Sequence, residues 1–295
     1  MPAPPSRYHP DAAPDYGHRF HAGNVGDVWK HCALVEVLRL VSATPAPVRY
    51  LDTHAGEGHY RLAPTGEWSE GIGRLWAAGA VRDDAVARYV ALCRSLGAGA
   101  ERPERYPGSP ALARAVLGPS ALLALWERDQ TAFARLAAHR AGDANVRLTQ
   151  GDGLHAMADE VRAAETGAGP IVVLIDPPWT QKADWTHVPD ALAAAVRAST
   201  RACLVLWYPV KSLTRPNAMI ARLQEAGVSG AIAELITTPL DHRRHRLNGS
   251  GVLLVRPPAA AIAALAAAAP VVGEHCATPA GTWSLRLLSW TAQRQ

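Results

Sequence analysis

Asp176–Pro177–Pro178–Trp179 concentrates in four residues the groups needed to act on an amine: a carboxylate, two torsionally fixed residues and a large ring. An amine attached to a heterocycle calls for that set, because an anionic or carbonyl oxygen must accept its N–H while a flat apolar surface holds the base. Asp176 can accept one amine hydrogen and the Pro177 carbonyl the other, and Asp176 can take the proton released on transfer. Trp179 can stack on a base that is single-stranded, looped or flipped out. The two prolines fix their own φ angles and restrict the residue before each, so acid and ring keep one relation with or without a ligand. The same four residues also suit a plain turn in which the Asp caps a helix and the Trp covers a sheet.

The run before them, Ile171–Ile175, is wholly apolar and predicts a buried central strand with the tetrad at its carboxyl end. Three further strand-like runs also end at acids, namely Asp52, Glu127 and Asp152. In a doubly wound sheet that common edge is where ligands bind. After Asp52 comes Thr53–His54–Ala55–Gly56–Glu57–Gly58, which matches neither the dinucleotide fingerprint nor a P-loop. An Asp-x-x-x-Gly-x-Gly turn after a strand instead suggests the adenosyl cofactor of a methyltransferase, with Gly56 letting the backbone approach the ligand. Glu127 stands where an acid commonly accepts ribose hydroxyls, and Asp152–Gly153 can meet an adenine amine. Each acid can equally cap a helix, Asp152 most of all, since a helix is predicted over Gly153–Arg162. Ser109 is read as the cap of a helix Pro110–Leu117, with a hydroxyl able to reach the cofactor.

Upstream, the segment from Tyr16 through His18 and His21 to Lys30 and His31 is dense in aromatic and basic groups and reads as a wall of the site. A helix is predicted from Asp27 onward, capped by Asn24 or Asp27, with Val28, His31, Cys32, Val35 and Leu38 on one face. Residues 60–107 interrupt the strand–helix alternation with two helices, Ser69–Gly79 and Asp83–Leu96, and are assigned as an inserted helical subdomain. Residues 1–14 are a proline-rich extension, and 15–59 with 108–295 form the main domain. Beyond the tetrad the pattern predicts a helix Pro189–Arg197, a strand Ala202–Val210, a helix Arg215–Gly227 and a strand Ala231–Thr237. A basic hairpin tip follows with Arg243, Arg244 and Arg246, then a strand Val252–Val255, an alanine-rich helix over 259–269 ended by Pro270, and a last antiparallel strand Trp283–Trp290. Arginines at a ligand rim would meet phosphates, although a solvated loop has the same composition.

The chain of 295 residues carries 30 Lys and Arg against 26 Asp and Glu, a balance that permits an RNA or DNA partner without requiring one. Cys32, Cys93, Cys203 and Cys276 lack metal-ligand spacing and read as small core residues of a reduced compartment. No metal is expected. The first residues contain no continuous apolar stretch, and no run is hydrophobic enough to suggest a membrane span, so a cytoplasmic protein is expected.

With Asp176–Pro177–Pro178–Trp179, the run Tyr16 to His31, Leu51–Gly56, Tyr106–Pro110, Asp152–Gly153 and Leu206–Pro209 in this order, the chain resembles the bacterial 23S ribosomal RNA adenine-N6 methyltransferases of the RlmJ family over about residues 15–290. The resemblance implies an α/β, Rossmann-like class I S-adenosylmethionine-dependent methyltransferase with a seven-stranded, mostly parallel sheet and an inserted small helical subdomain. It implies S-adenosyl-L-methionine bound by His31, His54, Ser109, Glu127, Asp152, Gly153 and Asp176, with Lys30 near the cofactor and Tyr16 contacting the target adenosine. Catalysis would rest on Asp176, Pro177, Trp179 and Lys30, and substrate binding on Tyr16, His18, His21, Trp179, Arg243, Arg244 and Arg246. The implied substrate is protein-free 23S rRNA, at adenosine 2030, and the implied state a monomer without an obligate protein partner. Two features depart from the family: Trp179 replaces a Tyr, and residues 1–14 have no counterpart. A DNA adenine-N6 methyltransferase shares the tetrad, and a non-catalytic RNA-binding protein could keep the fold; the absence of a large target-recognition domain favours RNA, and the intact acids favour catalysis.

Overall fold

In the computed structural model, which describes residues 20–79, 81–241 and 247–292, the chain alternates strands and helices. It begins with α1 (Val25–Val41), β1 (Arg49–Asp52), β2 (His59–Arg61), a 3-10 turn (Glu67–Glu70), α2 (Ile72–Ala77), α3 (Asp84–Leu96) and β3 (Arg105–Pro107). Next come α4 (Ser109–Leu117), β4 (Leu122–Glu127), α5 (Gln130–Arg140), β5 (Val146–Gln150), α6 (Gly153–Ala164) and β6 (Ile171–Ile175). The last part holds α7 (Asp184–Ala198), β7 (Cys203–Val210), α8 (Thr214–Glu225), β8 (Gly230–Ile236), β9 (Gly249–Val255), α9 (Ala261–Cys276) and β10 (Ser284–Trp290).

The main sheet has the order β10-β8-β9-β7-β6-β1-β4-β5. From β7 to β5 neighbours are parallel, while β7/β9, β9/β8 and β8/β10 are antiparallel. The sheet therefore has eight strands among the described residues, one more than the expected seven. Beyond the seven that the resemblance implies stands β10, the last antiparallel strand read from the sequence, paired with β8 from Ser284↔Ile236 to Trp290↔Gly230, where it covers an edge that would otherwise present unpaired backbone groups. The strand order reverses at β1, flanked by β4 and β6, so the crevice for a ligand opens at the carboxyl ends of these strands.

Every residue of β6 is buried, as a strand covered on both faces must be. Val172 and Leu174 face a core shared with α1, α3, α4 and α9; Ile171, Val173 and Ile175 face the opposite core under α6, α7 and α8. All four cysteines lie buried and unpaired in this interior. Ile72, Leu75 and Trp76 of α2 and Val86, Tyr89 and Val90 of α3 join the same core as α1. The 60–107 segment is thus packed on the main domain's helices, and its ends are tied by the antiparallel pair β2/β3.

Four local readings are corrected. Helix α1 begins at Val25, with Asn24 as its cap: Asn24 Oδ1 accepts from Asp27 N at 3.0 Å, and Asp27 Oδ2 reaches back to Gly23 N at 2.9 Å. Ser109 does not cap α4; Gly108 holds that position, and the serine is the first helical residue. Helix α7 starts five residues ahead of Pro189, and α9 runs through Pro270 to Cys276. In both, one missing N–H is outweighed by packing of residues on either side of the proline, such as Val188 and Leu192 or Ala269 and Val272.

Candidate active site

The carboxyl ends of β1, β4, β5, β6 and β7 and the first turns of α1 enclose a cleft of about 1040 Å³. All the expected site residues that fall within the described chain line it: His21, Lys30, His31, His54, Ser109, Glu127, Asp152, Gly153, Asp176, Pro177 and Trp179. Tyr16, His18, Arg243, Arg244 and Arg246 lie outside the described residues.

One half of the cleft is built on the turn after β1. Gly56 sits at φ +61, where a β-carbon would also lie 2.0 Å from the Tyr60 hydroxyl. Its N–H donates to Glu127 Oε2 at 2.8 Å, while Glu127 Oε1 accepts from Asp129 N at 2.7 Å. The carboxylate thus joins the turn to the end of β4 and still borders the cleft. Asp152 caps α6, as the sequence suggested, by accepting from His155 N at 3.0 Å, and it also lines the cleft. At Gly153 a β-carbon would meet the Thr53 carbonyl at 2.5 Å, which explains the glycine.

Asp52 separates from the other strand-end acids. It is fully buried and does not border the cleft. Its Oδ2 accepts from Ser109 Oγ at 2.7 Å and Tyr50 Oη at 2.8 Å, and its Oδ1 from His54 N at 3.2 Å. Burial pushes its pKa up to about 6, against the pull of those donors. Asp52 is therefore a bracket behind Ser109 and His54. The His54 ring accepts or donates at Nδ1 with Thr53 Oγ1 at 2.8 Å, and burial lowers its pKa.

The other half surrounds the tetrad. Lys30 Nζ donates to Asp176 Oδ2 at 2.6 Å and to Asp27 Oδ1 at 2.7 Å. Burial opposes the ammonium charge, yet the two carboxylates hold Lys30 above its ordinary pKa. No described residue bonds Asp176 Oδ1, which is left to the cleft. Trp179 adopts φ +52, an uncommon conformation for a bulky residue that costs about 1–3 kcal/mol. It is held there by its indole N–H on the Trp207 carbonyl at 3.0 Å and by packing on Trp185, ring centroids 4.4 Å apart. Only 8% of Trp179 is exposed.

Sequence reasoning assigned no site role to Trp207, Tyr60 or Asp27, all of which border the cleft. Trp207 lies beneath Lys30, 5.5 Å from ring centroid to Nζ, and its indole N–H donates to Ser250 Oγ at 2.7 Å. Its position near the end of β7, the strand beside the tetrad strand, was the available signal. His21 stands at the rim, paired with Glu67 at 2.9 Å, a bond that raises its pKa. His31 is buried, with Nδ1 2.7 Å from Tyr106 Oη; burial, reinforced by Lys30, pushes its pKa down to about 3, so the ring is neutral.

A family model described as "Ribosomal RNA large subunit methyltransferase D, RlmJ" matches residues 45–291. The chain is 30% identical over 248 residues to the ribosomal RNA large subunit methyltransferase J of Haemophilus influenzae, covering 82% of this chain and 87% of that one. It is 31% identical over 252 residues to the protein of the same description from Escherichia coli K12, with the same coverage of 82% and 87%. A crystal structure of a Legionella pneumophila protein superposes with a TM-score of 0.82 at 24% identity, over 91% of this chain and 98% of that chain, so the two share a fold.

Proposed function

Since the chain belongs to the ribosomal RNA large subunit methyltransferase J family, we propose that it methylates the exocyclic N6 amine of an adenosine in 23S rRNA, adenosine 2030, using S-adenosyl-L-methionine. The observation that carries the N6 assignment is the setting of Asp176: Lys30 holds one carboxylate oxygen and leaves the other, beside the rigid Pro177–Pro178 backbone, open to the cleft.

The residues fit the cofactor. Glu127 and Asp152, at the ends of adjacent strands, offer acceptors to ribose hydroxyls and an adenine amine, and Gly56 and Gly153 keep the backbone clear of side chains. His31, His54 and Ser109, which line the same cleft, would meet its remaining polar groups. When bound, the cofactor supplies an electrophilic sulfonium methyl.

Adenine N6 is a poor nucleophile because its lone pair is delocalised into the ring, so the site must hold the amine in the geometry that localises that pair. Asp176 Oδ1 and the Pro177 carbonyl accept its two hydrogens, and Asp176 receives the proton that the nitrogen gives up. Lys30 fixes the orientation of Asp176 through Oδ2, and Asp27 fixes Lys30. Trp179 provides the apolar surface at the base, assisted by Trp207. Tyr16, His18 and His21 contact the target nucleotide, and Arg243, Arg244 and Arg246 meet RNA phosphates. The segment 60–107 is an inserted subdomain beside the cleft; the proline-rich residues 1–14 lie outside the described residues.

No helix among the described residues is long and apolar enough to cross a membrane. Protein-free 23S RNA as substrate, action as a monomer and a cytoplasmic location complete the proposal; the four unpaired cysteines agree with a reducing compartment. Incubation with labelled S-adenosylmethionine and unmodified 23S RNA, matched duplex DNA or free adenosine separates the alternatives. Label in the RNA is expected; label in DNA alone would overturn the RNA assignment, and RNA binding without transfer would favour a vacant fold.

A further inference from the structure

His31 is joined to the core of the 60–107 segment by a buried chain of two hydrogen bonds. Its Nδ1 lies 2.7 Å from Tyr106 Oη, and Tyr106 Oη lies 2.8 Å from Tyr89 Oη. All three side chains are buried, and the imidazole stacks on the Tyr106 ring with centroids 5.6 Å apart. Two proton arrangements satisfy these distances and also give the Tyr106 hydroxyl proton an acceptor. In one, Tyr89 donates to Tyr106, Tyr106 donates to His31 Nδ1, and the imidazole proton resides on Nε2. In the other, every donor is reversed, and the Tyr89 proton is left with only the Cys93 sulfur, a weak acceptor. A buried hydroxyl donor left without a good acceptor costs about 1–3 kcal/mol, so the first arrangement prevails. No described residue bonds Nε2, and His31 borders the cleft, so the N–H is available to a ligand.

We propose that Tyr106 and Tyr89 are positioning residues that fix His31 in the tautomer carrying its proton on Nε2, presenting a neutral donor to an acceptor atom of the cofactor. The proposal rests on the cofactor reading above and extends it: α3, whose Tyr89 does not border the cleft, takes part in cofactor binding through this chain. A neutral donor also suits the site, because an imidazolium next to the Lys30 ammonium would add a second cation where a sulfonium is to bind.

The test combines NMR with calorimetry. In protein labelled with ¹⁵N-histidine, long-range ¹H–¹⁵N correlations should show His31 protonated at Nε2 and bare at Nδ1. Tyr106→Phe should weaken S-adenosylhomocysteine binding about three- to tenfold, the range for one oriented hydrogen bond, with turnover at saturating S-adenosylmethionine changed by less than about twofold. Tyr89→Phe should show a smaller loss of the same kind and carries the test if Tyr106→Phe does not fold. In a double-mutant cycle, Tyr106→Phe should add little on a His31→Ala background, whereas a merely structural role predicts additive losses. A proton on Nδ1 in the unaltered protein, unchanged affinity in a folded Tyr106→Phe, or additivity with His31→Ala would overturn the proposal. Failure of the unaltered protein to bind S-adenosylhomocysteine would overturn the cofactor reading and this proposal with it, a result distinct from normal binding that survives Tyr106→Phe.

Discussion

Lys30 Nζ donates to Asp176 Oδ2 at 2.6 Å, joining α1 to the loop after the central strand β6 across 146 residues of sequence. The same ammonium holds Asp27, which also accepts from Gly23 N at the start of that helix. The orientation of the tetrad's acid is therefore set by the start of α1, where Asp27 and Lys30 line the cleft.

Asp176→Ala should abolish most methyl transfer while leaving cofactor binding measurable. Removal of a positioned proton acceptor commonly costs about 10²–10⁴-fold in rate. Single-turnover rates on 23S RNA check this, and unchanged rates would remove Asp176 from the proposed role.

Lys30→Met should lower both transfer and stability. Asp176 and Asp27 would face each other without the cation between them, and breaking one partner from a largely buried ion pair costs up to about 3–5 kcal/mol, less here because both carboxylates remain partly open to the cleft. Denaturant unfolding measures the loss; a wild-type midpoint would contradict the arrangement.

His31 makes stability depend on pH. Its folded pKa of about 3 lies below the ordinary histidine value, so between those limits the unfolded chain binds a proton that the folded chain does not. Its stabilising effect is complete above the ordinary value and is lost as the pH falls, with a slope of up to about 1.4 kcal/mol per pH unit. Asp52, raised to about 6, acts in the opposite sense in the same window, so the difference between wild type and His31→Gln is the useful quantity. That difference should shrink by about one proton's slope as the pH falls from neutrality toward 4.5. A difference independent of pH would contradict a neutral, buried His31.

Trp179→Phe should lose the indole bond to the Trp207 carbonyl and about 1 kcal/mol of stability, while retaining an apolar surface for the base. Trp179→Ala should cost more in both stability and transfer, because it also empties the contact with Trp185. Equal behaviour of the two variants in thermal unfolding and transfer would show that the ring itself is dispensable.

Replacing Arg243, Arg244 and Arg246 together should weaken 23S RNA binding and flatten its salt dependence. Three phosphate contacts on single-stranded RNA correspond to a change of about 2 in the slope of log K against log salt. An unchanged slope would remove these arginines from the contact surface.

The framework of the site was legible because strand ends carry a local signature. Strand-like runs stopping at Asp52, Glu127, Asp152 and Asp176 marked one edge of a sheet, and the structure brings all four strands there. The cap role of Asp152 was legible, but the role of Asp52 was not. Asp52 turns inward to Tyr50 and Ser109 because partners distant in sequence satisfy it, and no local pattern reports that. The same holds for Ser109, whose place before a helix suggested a cap. The ends of α7 and α9 were misread because proline marks a boundary only where packing does not override it.

Digestion of 23S RNA to nucleosides after a single round of transfer, with identification of the methylated product, tests the central assignment most directly. N6-methyladenosine from the wild-type protein and its loss with Asp176→Ala are the expected result. Methyl on a ribose oxygen, on a ring atom or on another base would contradict the use of Asp176 and Pro177 to hold an adenine amine.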